Sequence, residues 1–495
     1  MSEERGQGTA SGPRFKDLTF GFASAESEAA RQPDLLLQGF LDRWATEDIV
    51  VPGGSFLVLG YKGSGKSAIA EHLRLRSESD ALLFVKTTNL SSDFHFQAFT
   101  DLADAVGDRP SGYVVGWQWL LLLHVLHSLA GDEAAMLLPE LTEAVVALRD
   151  MGLLPAKTLR STVLTSRRKS VTSSFPRILN LSLEEVKQLR RGNVGVVVEE
   201  LLSAVVGTRT ESHHTITVDG LDEVYLRTPA ELDIVSGLML AADRLNGELH
   251  RAGTHVKILV LCRTDLFDRL PGANKNKLRQ DSALELDWYE NPRDPTRTAL
   301  ARLANVKASV ADPAAEDLFA RFFPTRIRAG SNTHRTITYL LEHTRHTPRD
   351  FLQLLHRIQR FSPDEGMLTS DDIHSGLRQY CIEYFVPEVK DELDGPLSRE
   401  QIDIVFDALG SLATREFDYA TVLELARSDP RYDAVEWPRA LRLLFDASAI
   451  GNVEVRTGDA SYFRFKFRNR HSTLNLEVTM VLHRALAKAL NLPQG

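Results

Sequence analysis

One stretch constrains this chain more than any other: Gly60-Tyr61-Lys62-Gly63-Ser64-Gly65-Lys66-Ser67, which follows the pattern G-x-x-x-x-G-K-[ST]. At average residue usage its fixed positions arise by chance at about 4 × 10⁻⁵ per start site, or roughly 2% over a chain of this length. The surroundings sharpen the reading. An apolar run, Ser55-Phe56-Leu57-Val58-Leu59, precedes the loop and an amphipathic helical pattern from Lys66 to Arg76 follows it. Strand, glycine loop and helix in that order form a phosphate cradle. The glycines let backbone N–H groups approach an anion, and the helix points its positive end at it. Gly60, Gly63, Ser64, Gly65, Lys66, Ser67 and Ala68 are therefore the expected binding residues, with Lys66 reaching the outer phosphates and the Ser67 hydroxyl ligating Mg²⁺. The competing reading, a glycine turn with a surface lysine, does not account for this context.

The rest of the chain fits around that loop. Leu82–Val85, Thr215–Val218, Lys257–Leu261 and Leu284–Leu286 are further strand-like runs, separated by helical patterns. Together with the first run they predict an α/β fold with a five-stranded parallel sheet. Residues 14–295 form the expected core domain, interrupted by a large helical insertion at about 94–206. Within the insertion, Trp117–Ala130 reads as a buried helix, too short to span a bilayer. Residues 155–182 carry six cations, many Ser and Thr and no carboxylate, which suggests a mobile basic loop. Residues 296–395 read as a helical lid. Residues 396–495, with three helical stretches and then the runs 450–455 and 462–468, read as a winged helix. Ser398 with Gln401 fits a capping box at its start. In the last run Phe463, Phe465 and Phe467 alternate with Arg464, Lys466 and Arg468, predicting an aromatic face and a basic one.

A triphosphate site that hydrolyses its ligand also needs a carboxylate at a strand end. The run ending in Val218 leads into Asp219-Gly220-Leu221-Asp222-Glu223, so Asp219 is placed to hold Mg²⁺ and either Asp222 or Glu223 to polarise water. This segment resembles the Walker B motif of the STAND class of P-loop ATPases, especially its NACHT branch. AAA+ ATPases place the catalytic glutamate directly after the metal-binding aspartate, where this chain has Gly220. Leu261-Cys262-Arg263-Thr264-Asp265 resembles the sensor-1 strand of the same class, which implies that Arg263 senses the γ-phosphate. His346-Thr347-Pro348-Arg349-Asp350 resembles both the STAND proline element near adenine and the sensor-2 arginine of origin-recognition-type AAA+ proteins, implying nucleotide contacts for Pro348 and Arg349. The segment 20–28, with Gly39-Phe40, lies where related ATPases contact adenine. Together with the loop and the stretch 274–288 it is similar to a group of little-characterised bacterial P-loop ATPases.

Other chemistries fit less well. Asn274-Lys275-Asn276-Lys277 has lysine where a guanine-reading carboxylate belongs, which favours ATP over GTP, and no ABC signature is present. Adjacent His213 and His214 face opposite sides of a strand, and His124 with His127 lacks an evident third ligand. Two distant cysteines, Cys262 and Cys381, exclude a disulfide framework and suit a reducing cytosol. A net charge of −9 argues against a chain dominated by nucleic-acid or membrane charge while leaving room for local basic patches. Residues 1–13 lack the apolar stretch of a secretory signal and read as a disordered tail.

The expectation is thus a cytoplasmic, Mg²⁺-dependent ATPase switch with no membrane partner. It would form a homo-oligomer on ATP binding, with Arg279 or Arg335 acting in trans, and would act on a separate effector chain in regulation or antiphage defence. Two rivals remain open. One is a replication-initiator-like protein that grips nucleic acid through the basic wing, and the other is a nucleotide-binding scaffold that never hydrolyses.

Overall fold

A computed structural model describes residues 14–46, 49, 52–90, 94–104, 111–137, 139–156, 158–168, 194–221, 228–272, 275–455 and 461–493. The chain divides into two compact units. The first comprises residues 24–37 and 42–287; the second joins residues up to 23 and 38–41 to residues 288–495.

The first unit is built on β1 (Leu57–Gly60), β2 (Leu83–Asn89), β3 (His213–Asp219), β4 (Val256–Arg263) and β5 (Ala283–Glu285). They form one sheet in the order β2-β3-β4-β1-β5, with every pair parallel. The α/β class and the five-stranded parallel sheet expected from the apolar runs are therefore present. The runs were legible because β1, β3 and β4 are buried almost throughout, so they lack the polar alternation of a half-exposed strand. Since all the strands run the same way, their C-terminal ends share one edge. Gly60 pairs in register with Arg263 there, and Asp219 with Asn89.

Helices α1 (Lys66–Ser77), α2 (Ser111–Leu129), α3 (Pro139–Asp150) and α4 (Pro229–Arg251) surround this sheet. Helix α2 is apolar on all sides because it is buried on all sides, against both β3 and α4. Trp117 and Trp119 are fully buried in it, and each indole N–H finds an acceptor, Ile234 O at 2.8 Å and Ser166 Oγ at 3.0 Å. Helix α4 starts with a capping box between Thr228 and Glu231. Its Asn246 side chain exchanges two 2.9 Å hydrogen bonds with the Ile258 backbone, pinning the helix to β4.

The second unit contains a hairpin of β6 (Arg326–Ala329) and β7 (Asn332–Arg335), followed by α5 (Pro348–Gln359), α6 (Arg399–Gly410), β8 (Glu416–Phe417), α7 (Tyr419–Ser428) and α8 (Trp437–Asp446). It ends with β9 (Ile450–Val455), β10 (Ser461–Arg464), β11 (Met480–Leu482) and α9 (Arg484–Ala489). Strands β10-β9-β11-β8 form an antiparallel sheet in that order. The Ser398–Gln401 capping box is present, with its two hydrogen bonds at 3.0 and 3.2 Å.

Two local expectations fail here. The region after residue 295 is not wholly helical, because the β6–β7 hairpin interrupts it; only Ile327 of β6 is buried, so no apolar run announced the strand. The aromatic and basic alternation also stops early. Strand β10 ends at Arg464 and residues 466–468 turn, so Lys466 and Arg468 do not continue a basic face. Among the described residues, no helix is long and apolar enough to cross a membrane.

Candidate functional site

The glycine loop leaves β1 at Gly60 and enters α1 at Lys66, as the motif requires. A Cβ on Gly60 would lie 2.2 Å from Ser64 Oγ and 3.0 Å from Ser64 Cβ, so a side chain there would require Ser64 to shift. Gly63 and Gly65 have φ values of +79° and +97°, in the left-handed region that a glycine adopts without strain. Gly65 caps α1 without any side-chain bond, and a Cβ built there meets no atom within 4 Å. Open space therefore lies over the loop at the helix start, which fits a phosphate.

Lys66 is 4% exposed, and its ammonium donates to Gly60 O at 3.2 Å and Tyr61 O at 3.3 Å. These bonds fold the lysine back over its own loop rather than into solvent. Ser64 is buried, while Ser67 and Ala68, in the first turn of α1, are half-buried.

Asp219 ends β3 and is buried. One strand, β4, separates β3 from β1, so their ends lie roughly 10 Å apart along the shared edge. Asp219 Oδ1 accepts the Gly220 N–H at 2.7 Å, and the Asp219 carbonyl accepts the Leu90 N–H at 2.8 Å. Gly220 has φ +83°, and a Cβ there would meet Leu90 O at 2.9 Å. The position after the aspartate therefore has room for neither a side chain nor, in particular, a glutamate. Asp222 and Glu223, the expected water-polarising pair, lie outside the described residues.

Arg263 stands at the end of β4, level with Gly60. Its Nε and Nη2 each donate to the Asp265 carboxylate at 2.9 Å, a bidentate pair. Burial acts to raise the Asp265 pKa, but Arg263 and more weakly Lys66 hold it below the usual carboxylate range. Sequence reasoning gave Asp265 no role, and the two-residue spacing from Arg263 was the available signal. Arg279 is folded onto its own unit, paired with Asp268 at 2.8 Å and Glu285 at 3.0 Å and lying over the Phe267 ring. Lys275 donates to Asp268 O and Leu270 O, a helix-end role.

The remaining candidates sit in the second unit. Thr347 caps α5, with Pro348 buried at its first position. Arg349 is partly exposed, 4.0 Å from Glu388. Beneath them lies a buried network that sequence reasoning missed: Arg345 donates to Asp350 Oδ2 at 2.9 Å and Oδ1 at 3.1 Å and to Glu392 Oε1 at 2.6 Å, while Tyr384 donates to Asp350 at 3.0 Å. Burial would raise the Asp350 pKa, yet Arg345 keeps it lowered. Arg335 is exposed and donates to Arg293 O at 2.9 Å. The three cations of the last run turn to their own unit: Arg464 pairs with Glu454 at 2.5 Å, Lys466 donates to Ser472 O at 3.1 Å, and Arg468 lies over the Tyr289, Phe465 and Phe467 rings.

No protein-family model and no curated protein matches this chain. Among solved structures it is similar to the ORC1 protein of Aeropyrum pernix in complex with DNA, at 14% identity and a TM-score of 0.38, over 94% of this chain and 96% of that one. A likeness at that score assigns no role to any residue described above.

Proposed function

We propose that this chain is a Mg²⁺-dependent ATP-binding and ATP-hydrolysing switch of the STAND/AAA+ kind. The reading rests on one observation: an open glycine cradle with its folded-back lysine stands on the same sheet edge as the buried Asp219. In this reading the Gly63–Gly65 amides and Lys66 hold the β- and γ-phosphates. Ser67 and Asp219 are the oxygen donors for the metal, a set that suits Mg²⁺. When bound, Mg²⁺ neutralises phosphate charge and lowers the cost of charge movement at the γ-phosphorus. Because Gly220 has no room for a side chain, the water-orienting carboxylate is assigned to Glu223 or Asp222. Arg263 exchanges its Asp265 partner for the γ-phosphate, and hydrolysis returns it.

In this reading residues 296–395 act as a lid to which Pro348 and Arg349 contribute nucleotide contacts, and residues 396–495 as a winged helix that responds to nucleotide state. Turnover depends on homo-oligomer assembly. Of the two candidate arginines, Arg335 is the better trans donor, since Arg279 is engaged by Asp268 and Glu285. The engagement of Lys466 and Arg468 within their own unit favours a switch over a nucleic-acid grip.

Steady-state phosphate release tests the proposal. The wild type should turn over ATP with Mg²⁺, and Lys66→Ala should lose at least a hundredfold. One of Glu223→Ala and Asp222→Ala should abolish turnover while leaving ATP binding intact. ATP binding by the wild type without turnover under any condition would favour a scaffold. Equal rates in wild type and Lys66→Ala would remove the reading altogether.

A further inference from the structure

A second site lies away from the phosphate loop, at the other end of the sheet. Strand β2 is an edge strand, three positions from β1 in the order β2-β3-β4-β1-β5, so roughly 14 Å of sheet separates them. Phe84 and Lys86, two residues apart on β2, face the same side. Against that side a cavity of about 380 Å³ is lined by Phe84, Lys86, His127 of α2, Arg149 of α3, Leu154 and Pro155. That volume lies within the range of small-molecule sites.

Its charge is one-sided. Lys86, His127 and Arg149 all line it, and among the described residues no carboxylate does. Among the described residues, neither Lys86 nor Arg149 has an ion-pair or hydrogen-bond partner. Both charges also bear on His127: burial first, and then Lys86 and Arg149, lower its pKa against a hydrogen bond with the Ala156 backbone. Two cations from separate elements, Lys86 and Arg149, stand here without a counter-ion among the described residues, and leave a field that a multiply charged anion would relieve. A phosphate monoester carries nearly two negative charges at neutral pH, which a carboxylate does not. The Phe84 ring, Leu154 and Pro155 offer an apolar wall to the organic part of such a ligand.

We infer that this cavity binds a small phosphorylated molecule, with Lys86 and Arg149 on the phosphate, Phe84 against its organic group and His127 in the cavity wall. The site is independent of the triphosphate cradle and stands or falls without it.

The test uses the full chain carrying Lys66→Ala, which disables the phosphate loop, titrated calorimetrically with AMP and with inorganic phosphate. At least one probe should bind saturably and shift the His127 ring resonances. Adding Lys86→Ala with Arg149→Ala, two exposed positions whose truncation spares the core, should weaken that binding at least tenfold. Adding Asp219→Ala instead should leave it unchanged. Saturable binding of neither probe, or binding that the double substitution leaves within twofold, would overturn the inference.

Discussion

Gly220→Ala is the sharpest probe of the site's backbone. At φ +83° an L-residue bears the left-handed penalty of about 1–2 kcal/mol. The new Cβ also lands 2.9 Å from Leu90 O, 3.2 Å from Leu90 N and 3.3 Å from Leu90 C, all backbone atoms that no rotamer change can move. Overpacking of that kind costs about 1–3 kcal/mol, giving a total of roughly 2–5 kcal/mol. Gly253 supplies the control. Its φ is +69° with nothing within 4 Å of a built Cβ, so Gly253→Ala carries only the conformational penalty, about 1–2 kcal/mol. Denaturant unfolding followed by tryptophan fluorescence reports both, since Trp117 and Trp119 are buried in the same unit. Gly220→Ala should cost clearly more than Gly253→Ala. It should also weaken Mg-nucleotide binding, because Leu90 N–H bonds the Asp219 carbonyl and relief of the clash displaces Asp219. Equal destabilisation by the two substitutions would refute the argument that Leu90 bars a side chain at position 220.

Other expectations follow from the charges. Asp265→Asn removes a negative charge that feels Lys66 and frees Arg263, so ATP affinity should rise severalfold in a binding titration, by about 1 kcal/mol at an effective dielectric near 20. Arg345→Met strands the buried Asp350 and should destabilise the second unit by about 3–5 kcal/mol in denaturant melts. The native Asp350 pKa is lowered, so its contribution is present above the unfolded value and lost as pH falls through the native one; in Arg345→Met burial is left to raise that pKa, so the destabilisation should ease as pH falls. Burial pushes the His343 and His346 pKa values down to about 3. Their stability is complete above the unfolded value near 6.5 and is lost as pH falls from there, by about 2 kcal/mol each at pH 5, which an acid titration of the melting temperature reads.

The sheet was legible because its buried strands are written as apolar runs and because the glycine loop marks one strand end. Gly60, Lys66, Asp219 and Arg263 gather at one edge because parallel strands end on the same side, a consequence of the βαβ pattern itself. What escaped depends on partners distant in sequence or on short strands. Strand β11 is three residues long, and Met480 is buried only through its pairing with β9 and β8. The steric bar at Gly220 comes from Leu90, in another strand's exit, and no local pattern encodes it. The alternating aromatics of residues 463–467 looked like a strand face, yet the chain turns after Arg464, and Arg468 stacks on rings instead of facing water. The cavity beside Lys86 joins residues more than sixty positions apart, and only the fold of the insertion brings them together.

The most direct measurement of a shared metal between loop and strand is ATP affinity with Mg²⁺ and with EDTA, in wild type and Asp219→Asn. Wild-type protein should bind at least tenfold tighter with the metal, and Asp219→Asn should lose that advantage while its metal-free affinity stays the same. An advantage that survives in Asp219→Asn, or none in the wild type, would contradict the account.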